Sequence, residues 1–125
     1  MLDKLKDYFS GSVKKELSEF TVIGRDSSIE GKIETNKLYI EGTFSPTYSS
    51  TFNTLQIGNG GVFKGEVAQY NHSASVLEIA GVFEGTVNAD RVHIHSGAVV
   101  TGSVAYRESF ICDAGATLDC LIAKI

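Results

Sequence analysis

The side chains best suited to chemistry in this chain are three histidines and two cysteines. His93-x-His95 puts two imidazoles on one side of an extended segment, because alternate residues of a strand share a face. Such a pair could begin a metal site, yet tetrahedral sites draw on three or four protein ligands and the spacing aligns only two. Val92 and Ile94 hold the apolar, inward positions of the same segment. Both histidines are therefore expected to face solvent in a structural or surface role, with no metal. His72 falls in a polar stretch that reads as a loop. Cys112 and Cys120, with Asp113 beside them, raise the question of a reactive thiolate. Cys112, however, stands where Ile57 and Ile94 stand elsewhere in the chain, which predicts an inert, buried thiol. The two cysteines also lack zinc-type spacing and are too few for a disulfide framework. No GxSxG, HExxH or phosphate-binding GxxxxGK segment occurs. No catalytic residue and no cofactor are expected.

The elements that would position these residues are written in an unusual composition. Among 125 residues there are 13 Gly and a single Pro, Pro46, which points to many tight turns inside a regular fold rather than to a Pro/Gly linker. Net charge is −4 with no basic block, so nucleic acid is not an expected partner. No run of about 18 apolar residues is present, and the N-terminus lacks the continuous apolar core of a secretory signal. A cytoplasmic location is expected.

From residue 21 a pattern recurs, and it decides the fold class. Its first half is a pair of apolar residues separated by one: Leu38-x-Ile40, Leu55-x-Ile57, Leu77-x-Ile79, Val92-x-Ile94 and Phe110-x-Cys112, preceded by Thr21-x-Ile23. Its second half is apolar-x-Gly-x-apolar: Ile29-x-Gly31-x-Ile33, Phe63-x-Gly65-x-Val67, Phe83-x-Gly85-x-Val87 and Val100-x-Gly102-x-Val104. Phe44-x-Pro46-x-Tyr48 and Leu118-x-Cys120-x-Ile122 vary the central position. The period of two within each half predicts strands with one buried face. A hairpin array would need a reversing turn after every strand, whereas here the corners fall inside a repeating unit. The spacing thus predicts an all-β solenoid of about six coils, stacked roughly 4.8 Å apart into a stub of about 25–30 Å. Phe44, Phe63 and Phe83 should stack as an aromatic ladder, with the central glycines relieving crowding beside it. Corners Ile40–Phe44 and Ile79–Phe83 are shorter than the other four. The segment Ala68–Ser75 should bulge as a loop from one side. Glu30, Glu41, Glu66, Glu78 and Glu84 alternate with the anchors and read as a solvated face.

This repeat resembles the bactofilin family. The residues that carry the resemblance are Thr21-Val22-Ile23-Gly24 with Ser28-Ile29-Glu30-Gly31-Lys32-Ile33, and the run from Leu77 through Gly81-Val82-Phe83-Glu84-Gly85-Thr86-Val87. The resemblance implies a single right-handed, three-sided β-helix over 21–125, whose ends stack into filaments without bound nucleotide. It also implies a scaffold for cell-shape or polar machinery, among it peptidoglycan-remodelling enzymes, and attachment to the inner membrane through a short N-terminal peptide. The sequence departs from the family pattern at Pro46 and Cys120, in the long 68–75 segment, in an N-terminus that reads as helix, and in having no C-terminal tail.

A solenoid leaves an open coil at each end, a template for aggregation unless covered or used. The last repeat finishes at Ile122, three residues before the final Ile125. An exposed face including Phe110, Leu118, Leu121 and Ile122 is therefore expected to make a polymer contact, and a two-fold related contact would be self-complementary. At the other end, Leu2, Leu5, Phe9, Val13, Leu17 and Phe20 recur every three or four residues, which predicts a short amphipathic helix over 1–20. Three readings compete for it: a cap over the first coil, a membrane-surface segment using Leu2, Lys4, Leu5, Lys6 and Phe9, or a partner-binding helix. The resemblance favours the membrane. Two further readings of the whole chain are a hexapeptide-type β-helix acyltransferase, which would keep a strict six-residue period, and a dimerising β-helical regulator of cell division.

Overall fold

Period-two alternation produces strands throughout. The computed structural model describes residues 20–65 and 70–125, and every regular element in them is a β-strand. In chain order these are β1 (Phe20–Ile23), β2 (Ser28–Gly31), β3 (Lys37–Ile40), β4 (Thr43–Pro46) and β5 (Thr51–Ile57). They continue with β6 (Val62–Lys64), β7 (Asn71–Ile79), β8 (Val82–Ile94), β9 (Val99–Cys112) and β10 (Thr117–Lys124). All pairings are parallel, and each strand bonds to the next turn of the same chain. The result is a parallel β-solenoid of about six turns.

Three ladders run along it. The first joins β1, β3 and the last residues of β5, β7, β8 and β9. The second joins β2, β4, β6 and the first residues of β8, β9 and β10. The third joins the start of β5 and β7, the middle of β8 and β9, and the end of β10. Long strands such as β8 contribute to all three, bending at the corners; a bulge between Ala89 and Arg91 marks one bend.

The anchors stack in register. Ile23, Ile40, Ile57, Ile79 and Ile94 form one column, and Leu38, Leu55, Leu77 and Val92 form another; all are buried. The aromatic ladder is present: Phe44 meets Phe63 edge-on at 5.5 Å, and Phe63 stacks on Phe83 at 5.0 Å. Burial is worth about 1.5–3 kcal/mol for each large side chain, and such ring pairs add roughly 0.5–1.5 kcal/mol.

Corner chemistry explains the glycine content. In the longer corner at His95–Ala98, the Ala98 N–H closes a turn on the His95 carbonyl at 3.2 Å, and Gly97 takes φ 87°, a region costly for residues with a Cβ. Gly102 meets a different demand. A Cβ there would overlap the Gly85 carbonyl, so at this position the crowding relieved is against the backbone of the neighbouring coil, whereas at Gly65 a Cβ would also press on the Phe63 ring.

The structure corrects five expectations. Residues 71–75 are not loop but belong to β7, where Asn71 pairs with Thr86. His72 is consequently a core residue, 1% exposed and in register with Val87, a position the spacing had given to Val67. Tyr48 is not an anchor: it is exposed with Lys32 Nζ over its ring, while Ser50 and Phe52 turn inward instead. The chain rejoins the third ladder only at Thr51–Phe52. Cys112 occupies the isoleucine column as expected but is exposed, because among the described residues no further coil stacks on it. Phe20, expected in a helix, opens β1. The rest of that helix, and Val67, lie outside the described residues.

Candidate polymer interface

The last coil is built from the end of β9 and from β10. Its inward residues continue the columns of the coil before it: Phe110 over Val92, Leu118 over Val100, Cys120 over Gly102 and Ile122 over Val104. Phe110, Cys120 and Ile122 pack partly against the core, and Tyr106 stacks on Phe110 at 5.5 Å. Leu118 is 38% exposed, whereas its equivalents Phe44, Phe63, Phe83 and Val100 are fully buried. Leu121 is exposed too, but its register with Ser103 places it on the flank of the coil, at the rim of this face. Burial raises the Cys120 thiol above its ordinary value, with Asp119 and then Cys112 adding to the effect. A raised thiol leaves less of Cys120 in the thiolate form that reacts.

The first coil mirrors the last. Ile29 begins the column that Leu118 ends, and it is likewise 38% exposed. Beside it Phe20 and Val22 are exposed on β1. Among the described residues β1 and β2 pair with a strand on one side only, as does β10. Among the described residues each end therefore presents strand edges paired on one side around an apolar centre, the arrangement by which a sheet edge recruits another strand. Leu2, Lys4, Leu5, Lys6 and Phe9 lie outside the described residues.

A family model described as "Bactofilin: Polymer-forming cytoskeletal" matches residues 21–122. The chain belongs to the bactofilin family. Comparison with curated proteins and with solved structures finds no match. The matched residues run from the first anchor to the last, so the bactofilin repeat and the solenoid are the same stretch of chain. Among the described residues no helix is long and apolar enough to cross a membrane.

Beside the last coil, His93 faces outward from β8, and His95, just past its end, follows the same parity. Sequence reading missed what surrounds them. Glu78 lies one coil below and pairs in register with His93, and Asp113 follows the strand one coil above. The signal was available only through cross-coil register, which brings together residues far apart in the chain.

Proposed function

We propose that this chain is the subunit of a cytoskeletal scaffold that assembles end to end, through its open coils, into nucleotide-independent filaments. The observation that carries the reading is the pair of partly exposed column ends, Ile29 and Leu118, on strands that among the described residues pair on one side only, at opposite ends of one apolar core. Stacking a second copy on either end would cover them and continue the ladders at the ordinary interstrand spacing. Phe110, Leu118, Leu121 and Ile122 form the contact on the C-terminal coil, and no catalytic step is required. The right-handed, three-sided form of the family suits the three ladders.

The filament works at the inner face of the cytoplasmic membrane, held there by residues 1–20. Leu2, Lys4, Leu5, Lys6 and Phe9 supply a weak amphipathic contact that a polymer multiplies by avidity. Its role is to organise cell-shape or polar machinery, peptidoglycan-remodelling enzymes included. Ultracentrifugation tests assembly: the protein should pellet without added nucleotide and stay with anionic vesicles in flotation, the latter only with residues 1–20 intact. A protein that stays in the supernatant at all salt and protein concentrations would refute the polymer.

A further inference from the structure

His93 and His95 lie on the flank of the rod, at and just past the fifth of the six rungs of the first ladder, one coil below Asp113 and one coil above Glu78. Their rings stack at 4.0 Å with an interplanar angle of 22°. His93 Nε2 lies 3.2 Å and 3.3 Å from the two carboxylate oxygens of Asp113. His95 Nδ1 lies 3.7 Å from Asp113 Oδ2, and His95 Nε2 lies 3.3 Å from Glu78 Oε1. Each of these side chains is about one-third exposed, so the cluster is open to solvent.

The geometry points to a site for a borderline transition-metal dication, of the zinc class, held by His93 Nε2, His95 Nδ1 and an Asp113 oxygen. Three features converge on this. First, the three donor atoms lie within 4.8 Å of one another. Metal–ligand bonds of about 2.0–2.2 Å at the tetrahedral angle require donor separations of roughly 3.3 Å. With Oδ2 as the Asp113 ligand, two of the three separations, 3.3 Å and 3.7 Å, are already near that value. Second, Glu78 sets the tautomer of His95. When the His95 ring is neutral and donates Nε2–H to Glu78, the bare lone pair of Nδ1 faces the Asp113 carboxylate, and two acceptors at that distance repel unless a proton or a metal ion lies between them. A carboxylate orienting the far nitrogen of a ligating histidine is the usual support of such sites. Third, two imidazoles and one carboxylate form a donor set that suits zinc, nickel or copper better than magnesium or calcium, which prefer oxygen alone. Three protein ligands leave a coordination position facing solvent.

Calorimetric titration of the full chain with zinc chloride tests the site. It is done in a Cys112→Ser, Cys120→Ser background, so that thiols cannot capture the ion. Saturable binding at one zinc per chain is expected, abolished by His95→Ala and by His93→Ala. Glu78→Gln should keep the stoichiometry and weaken affinity about 10- to 100-fold, since it removes only the orienting contact. Zinc should also raise the melting midpoint of the parent but not that of His95→Ala, while all variants melt alike in a chelator. Absence of saturable binding, or binding that survives both histidine substitutions, would overturn the site and leave an ordinary solvated cluster of histidines and carboxylates.

Discussion

His72 gives the core a built-in sensitivity to acid that a valine in its place would not. The Ser50 N–H donates to His72 Nδ1 at 3.2 Å, so the ring proton resides on Nε2, a buried atom with no hydrogen-bond partner. The ring packs edge-on against Phe63 at 5.0 Å. Burial holds the imidazole below its ordinary value of 6.5, because the charged form would lose its hydration. In the unfolded chain the same imidazole takes up a proton as pH falls through about 6.5. Between that pH and the lowered native value the unfolded state therefore binds more protons than the native state, and stability drops as pH drops. The contribution is fully present above about pH 6.5 and is lost at up to roughly 1.4 kcal/mol per pH unit below it, until the native imidazole itself protonates.

The perturbation that isolates this effect is His72→Leu, which cannot titrate. At pH 8 the substitution removes one orphaned N–H but leaves the Ser50 N–H without its acceptor, costs of about 1–3 kcal/mol each that largely offset. Urea midpoints of the two proteins should therefore be close at pH 8 and diverge below pH 6.5, with the His72→Leu protein the more stable. Parallel acid loss in both proteins would refute the reasoning, since the proton would then be taken up elsewhere.

Two further substitutions test the solenoid core. Phe63→Ala should destabilise by about 3–5 kcal/mol in chemical unfolding, towards the upper part of that range, because coils on both sides prevent the cavity beneath Phe44 and Phe83 from collapsing. Gly97→Ala meets no atom within 4 Å and should cost only the roughly 1–2 kcal/mol of its left-handed backbone, whereas Gly102→Ala adds overlap with the Gly85 carbonyl and should cost about 1–3 kcal/mol more. Equal midpoints for the two glycine variants would contradict the close approach of those coils.

Much of this architecture was legible because a solenoid writes its core once per turn. The pairs Leu38-x-Ile40, Leu55-x-Ile57, Leu77-x-Ile79 and Val92-x-Ile94 stack as their spacing predicts, and so does the Phe44, Phe63, Phe83 column. The third ladder was harder to read. There the chain carries extra residues after Pro46 and after Gly65, and local spacing cannot tell which later residue returns to the core. His72 and Ser50 are polar, so hydropathy assigned their positions to Val67 and Tyr48, although register placed them inside. Cys112 shows the limit of equivalence between repeats: the same column is dry in the middle of the rod and open at its end. The cluster of Glu78, His93, His95 and Asp113 was invisible for a related reason, since three successive coils contribute to it.

The central claim, a polymer joined through the open coils, is tested most directly by negative-stain microscopy of the purified protein beside Leu118→Arg. A charge reversal at mid-rod, Glu84→Arg on the flank of β8, serves as the control. The account predicts filaments from the parent and from Glu84→Arg, and only monomers or dimers from Leu118→Arg, whose charge would be buried at every joint. Discrete particles from all three across salt and concentration, or filaments that persist in Leu118→Arg, would contradict it.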